Sequence, residues 1–234
     1  MSLFSNMTTN GLEEQKDILG GFSLLDTNIY PATIKVAYAG KSQSGAMSIT
    51  LHADIEGKEY RETVYITNKN GENFYVSKTD GKKNPLAGFS IINDICQITL
   101  NKPLNQVDTE DKILMIYNNE LGKEIATKVP CIMELKDKKV DLAIVKEKRF
   151  KMVNDNGNFH ETDETREANV ITKVFDPDSH QTVYEIKHGL TEEPLFCDKW
   201  LEKNKGQVID RTRKGRAEKP TATAPKQERK SLFA

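Results

Sequence analysis

Lys58–Thr67, KEYRETVYIT, decides how this chain reads. Tyr60, Glu62, Val64 and Ile66 fall on one side of a two-residue period, and Glu59, Arg61, Thr63, Tyr65 and Thr67 on the other. That is the pattern of a strand with one face buried and one face open to water. The open face carries a cation, two hydroxyls and an aromatic ring. An exposed tyrosine beside an arginine supplies π surface for bases and charge for phosphates, the two needs of a single-stranded nucleic-acid platform. The same residues also decorate ordinary solvated sheets, where cross-strand aromatic and charged pairs are common.

Working back from this stretch, Glu56-Gly57-Lys58 is a tight hairpin signal that joins it to Met47–Ile55, an alternating strand of good length. Ile34, Val36 and Tyr38, alternating with Lys35, Ala37 and Ala39, form a strand before that, and Gly40–Gly45 is the small-residue turn between the two. Leu12–Leu19 reads as a brief helix ending at Gly20-Gly21. Working forward, Phe74–Val76 is a short strand in a lysine-rich excursion with turns at Asn70-Gly71 and Asp80-Gly81. The period then changes: Phe89, Ile92, Ile95, Cys96 and Leu100 form a helical stripe. Strands resume at Lys112–Tyr117, Lys123–Val129 (continued by Cys131–Leu135) and Val140–Ile144, which runs on to Lys151. Asn154–Thr165 reads as a polar loop, Val170–Phe175 and Gln181–Ile186 as a hairpin, and Pro194–Asn204 as a helix.

Three strands, a helix and further strands give a mainly β fold with a few helices. This order is that of a five-stranded OB-fold Greek-key barrel, although other all-β arrangements with one helix share it. The expected organisation is an N-terminal extension (1–30), a barrel with extra hairpins (31–153, helix about 89–100), a C-terminal hairpin and helix packed on it (154–205), and a disordered basic tail (206–234).

The chain has 234 residues and a net charge of −1, unevenly spread. From Lys205 onward nine Lys/Arg stand against three Asp/Glu, so the body is acidic and the tail basic, as in an interaction tail. No run reaches the roughly 20 apolar residues of a membrane helix, and the start lacks a signal-peptide pattern. Cys96, Cys131 and Cys197 are odd in number and far apart, which predicts buried thiols in a reduced cytoplasm.

Motifs for catalysis are missing. His52, His160, His180 and His188 are scattered without metal-ligand spacing, and there is no phosphate-cradling glycine loop and no nucleophile elbow. No cofactor and no enzymatic activity are expected. The positive signals are aromatics among cations: Tyr65 with Arg61; Phe74-Tyr75 with Lys69, Lys78, Lys82 and Lys83; and Phe150 among Lys146, Lys148, Arg149 and Lys151.

Five blocks carry a resemblance: SLFSNMTTNGLEEQKDILGGF, IKVAYAGKSQSGAMSITL, GKEYRETVYITNKNGENFY, TREANVITKVF and WLEKNKGQVIDRTRKG. Together they resemble a family of single-stranded DNA-binding proteins encoded by tailed bacteriophages. The resemblance implies an OB-fold protein that coats single-stranded DNA during phage replication and recombination, in the host-cell cytoplasm. Lys35, Tyr38, Lys41, Arg61, Tyr65, Lys69, Phe74 and Tyr75 lie in matching blocks, and Lys82, Lys83, Lys148, Arg149 and Phe150 join them as expected DNA contacts. Many such proteins end in an acidic tail. This tail is basic, which points to extra affinity for single- or double-stranded DNA. Its end, Ser231-Leu232-Phe233, resembles the last part of the peptide that bacterial sliding clamps bind, but Gln227 lies too far upstream to open that peptide. The other reading is a recombination-accessory or protein-interaction module whose tail alone touches nucleic acid.

Overall fold

The structure, a computed structural model, describes residues 24–118, 121–155 and 158–212. The expected helix at Leu12–Leu19 and the segment Ser231–Phe233 lie outside them. The fold is mainly β. Its frame is a run of antiparallel neighbours: β3 (Lys58–Tyr65), β2 (Met47–Ile55), β1 (Asn28–Lys41), β8 (Lys139–Asp155) and β9 (Asn158–Phe175). The β2–β3 turn is as expected. Glu56 and Gly57 both take positive φ (53° and 78°), the two-residue turn that matches strand twist, and it pairs Ile55 with Lys58.

Helix α1 (Ala87–Leu100) packs against one side of the sheet, and Ile34, Leu51, Ile92, Ile95, Leu142 and Ile144 form the core between them. The helix starts hard against β3. A Cβ on Gly88 would lie 2.1 Å from the Tyr65 carbonyl oxygen and 2.9 Å from a Val64 methyl, so only glycine permits this approach. On the opposite side, Ala143, Val145 and Phe175 bury under Trp200 and Cys197 of α3 (Phe196–Asn204). All three cysteines are buried, and burial pushes the Cys96 thiol up to about 12.

Among the described residues β9 and β3 share no main-chain ladder, so the sheet stays open rather than closing into the expected barrel. A side chain bridges the seam instead. Glu62, on the core side of β3, accepts the Ile171 N–H of β9 at 2.9 Å and the Tyr60 hydroxyl at 2.6 Å. Across the same gap Lys173 of β9 reaches Asp94 of α1 at 3.5 Å.

Several elements differ from the sequence expectation. A bulge between Ile34 and Val36 shifts the phase of β1, so Ala37 joins Ile34 in the core while Val36 and Tyr38 turn to the other face. The expected polar loop at 154–165 belongs largely to the long β8–β9 hairpin. Residues 183–188 form helix α2 (Val183–His188), not a strand, because Thr182 and Glu185 make a capping box. Cys131 is followed by a 3-10 turn, Met133–Leu135. The fold also extends into the expected tail: β10 (Val208–Asp210) pairs in parallel with β8, and Arg211 grips the Glu147 carboxylate at 2.7 and 2.9 Å. Two small hairpins complete the described chain, β4 (Phe74–Val76) with β5 (Lys83–Pro85), and β6 (Glu110–Asn118) with β7 (Lys123–Cys131).

Candidate nucleic-acid interface

The face of β1–β2–β3 turned away from α1 is polar. The hairpin register sets Ser48 beside Tyr65, Thr50 beside Thr63, His52 beside Arg61 and Asp54 beside Glu59, while β1 adds Tyr38 beside Thr50 and Val36 beside His52. Thr50 and Thr63 share a hydroxyl–hydroxyl bond of 2.9 Å. The face is acidic toward the β2–β3 turn, where Asp54 and Glu59 oppose each other. Toward its other end it carries Arg61 and Tyr65, which is 54 % exposed.

How each cation is held separates them. Among the described residues Arg61 has no carboxylate partner; its guanidinium donates to the Tyr38 hydroxyl at 3.1 Å. Tyr38 is 6 % exposed and its ring lies 5.9 Å from that of His52. A buried phenol orients the guanidinium without cancelling its charge. The neighbouring His52 ring shares a hydrogen bond of 2.8 Å with Glu59. Tyr38 is therefore a residue that positions Arg61; its covered ring has no face to offer a base.

Beyond Tyr65 the chain makes the β4–β5 excursion. Gly45, in the β1–β2 turn, sits where a Cβ would be 3.3 Å from the Lys69 carbonyl and 4.0 Å from the Lys41 side chain, so the two turns that carry these exposed lysines touch. Lys83 places its ammonium 4.4 Å from the centre of the Phe74 ring, which occupies that aromatic face. Tyr75 is 54 % exposed, and Lys82 is exposed with Asp80 at 3.8 Å. Tyr65, Lys41, Lys69, Lys82 and Tyr75 are thus all open to solvent.

The remaining expected residues separate from this set. Lys35 sits at the β1 bulge and, with Lys112 and Lys136, edges a cleft at the root of the β6–β7 hairpin. In β8, Lys148 is exposed, but Phe150 is half-buried. Arg149 is turned inward: its buried Nε has no hydrogen-bond partner and its charge acts on Glu62. Arg149 is thus half-buried, and its charge acts in part on Glu62 inside the fold. Even so, burial holds the Glu62 carboxyl above its ordinary range, outweighing its two hydrogen bonds and Arg149. Burial raises the Tyr60 phenol as well.

His52, Thr50 and Ser48 were not picked out from sequence, although the Glu56-Gly57 turn fixes their pairing with Arg61, Thr63 and Tyr65. No cluster of three metal-ligating side chains is found among the described residues, and no helix among them is long and apolar enough to cross a membrane. No family model and no curated protein matches the chain.

Proposed function

We propose that this protein binds single-stranded DNA without regard to sequence, as a non-enzymatic coat in phage replication and recombination. The observation that carries this is the pairing on one sheet face of an exposed ring, Tyr65, with an exposed guanidinium that a phenol holds and that no carboxylate neutralises among the described residues. Tyr65 and Tyr75 would stack on bases, and Arg61, Lys41, Lys69 and Lys82 would meet phosphates. The strand order β1–β2–β3, α1, β8–β9 supports an OB-type frame whose last seam is bridged by Glu62 in place of a ladder. Residues beyond Thr212 would add loose affinity for single- or double-stranded DNA. Titrating fluorescent oligo-dT at two salt concentrations tests the reading. Binding that weakens with salt and quenches tyrosine emission supports it; no binding at low ionic strength defeats it.

One observation favours a second reading, a protein-interaction module. The β6–β7 hairpin shows Ile113, Met115 and Tyr117 to solvent at 72, 61 and 52 % exposure. Replication or recombination proteins of the host or phage, including a sliding clamp reached through Ser231-Leu232-Phe233, are the partners this reading would take. Capture of a purified clamp that survives loss of Leu232 and Phe233 would remove that segment as its docking point, and no capture by the full chain would remove the clamp as a partner.

A further inference from the structure

A second groove lies on the same outer side of the sheet, between α3 and β9. It encloses about 380 Å³. Lys199 and Lys203 stand one turn apart on α3, and Lys173 enters from β9. Two like charges at this spacing repel by a few tenths of a kcal/mol in an isolated helix. The acids of α3, Asp198 and Glu202, do not line the groove. Glu185 lies close enough to feel Lys199, but its oxygens already accept from the Thr182 N–H and hydroxyl and from the Phe196 N–H. Among the described residues Lys203 has no ion pair. The groove also offers rings: Phe196 is 42 % exposed and Trp200 forms a floor at 7 %. Lys173 is shared with Asp94 of α1 at 3.5 Å, so the free charge over this aromatic surface comes from Lys199 and Lys203, a pairing that matches phosphates and bases.

Its place matters as much as its chemistry. The bond from Ile171 to Glu62 sets β9 beside β3. Thr172 and Lys173, the next residues of β9, line the groove, while Arg61 and Thr63 flank Glu62 on β3. The groove and the Arg61–Tyr65 face therefore lie on either side of one seam.

We infer that the α3–β9 groove is a second contact for single-stranded DNA, taken up by strands long enough to cross the seam. This rests on the β1–β3 face binding DNA, and the test separates the two. Trp200 is the only tryptophan in the chain, so its emission reports on the groove. The full-length protein is titrated with oligo-dT of about 6 and about 30 nucleotides, spanning the range of single-fold site sizes. A Lys199→Ala/Lys203→Ala variant is titrated alongside, with its melting temperature checked against the parent. Each single-strand phosphate contact contributes about 0.7 to the salt slope, hence about fivefold in affinity at about 0.1 M salt. The variant should lose about 25-fold for the long oligonucleotide and about 1.4 of slope, with the short one unaffected. Only the long oligonucleotide should change Trp200 emission. A variant that binds the long strand as the parent does overturns the inference while leaving the β1–β3 face intact. The same result joined to lost affinity for poly-glutamate would assign the groove to acidic protein segments. If the parent binds neither oligonucleotide, both readings fall together.

Discussion

Replacing Tyr65 by alanine separates stacking from charge. The ring is 54 % exposed and opposes only Ser48 on β2, so its loss opens no cavity and should shift stability by no more than about 0.5 kcal/mol. Stacking of a base on an aromatic ring is worth about 1–3 kcal/mol. At about 1.4 kcal/mol per tenfold, the variant should bind oligo-dT about 5- to 150-fold more weakly. A phenol carries no charge at neutral pH, so the dependence of log K on log salt should keep its slope. Arg61→Ala should do the opposite: a shallower slope by about 0.7 and a loss near fivefold at about 0.1 M salt. Fluorescence anisotropy across a salt series measures both quantities for both variants. If Tyr65→Ala binds like the parent, or flattens the slope as Arg61→Ala does, the ring is not a stacking platform and the reasoning from this face fails.

Three further outcomes follow from named contacts. Burial raises the Glu62 carboxyl, so the folded state holds a proton that the unfolded chain has released; the Glu62 share of stability falls as pH rises from the ordinary carboxylate range through that raised value. Glu62→Gln, which can still accept from Tyr60 and Ile171, should gain on the parent between about pH 5 and about pH 8 in urea unfolding, and a constant difference would refute this. Gly88→Ala forces a Cβ against the Tyr65 carbonyl and should cost about 1–3 kcal/mol, visible calorimetrically as roughly 2–12 °C in Tm. Deleting residues 213–234, which spares β10 and the Arg211–Glu147 pair, should lower DNA affinity and flatten the salt slope; an unchanged slope would show that the tail does not touch DNA.

What could be read from sequence follows what controls each element. The Lys58–Thr67 alternation holds because burial on one side decides it: Tyr60, Val64 and Ile66 are covered, and Arg61, Thr63 and Tyr65 are not. The α1 stripe is legible for the same reason, with Ile92, Ile95 and Cys96 buried. Alternation fails in β1, where a bulge after Ile34 adds a residue without changing composition and sends Tyr38 away from the core. It fails again in β9, whose first half pairs with β8 beyond the core and so needs no apolar side. The Thr182–Glu185 capping box was a readable helix signal, and short apolar runs mislead when such a cap is passed over. Only three dimensions could reveal that β10 rests on Arg211 meeting Glu147, 64 residues apart, or that Arg149 turns inward to Glu62.

A solvated sheet would also show polar residues, so exposure alone argues little for binding. The contrast lies in how the cations of this sheet are held. Lys146 lies between Asp26 and Glu167, Lys151 meets Glu164 at 2.6 Å, and Arg211 is clasped by Glu147. Arg61 is oriented instead by the hydroxyl of Tyr38, itself buried against His52. A carboxylate there would offset the charge and compete with any phosphate; a phenol gives direction and leaves the positive charge whole. Ordering a long side chain costs conformational entropy, on the order of 1.5–2 kcal/mol for arginine. A hydrogen bond from a charged donor returns about 1.5–3 kcal/mol against that. The balance is close to even for the protein by itself. It turns favourable once an anion takes the remaining guanidinium donors, and on the proposed reading a DNA backbone beside Tyr65 would supply one.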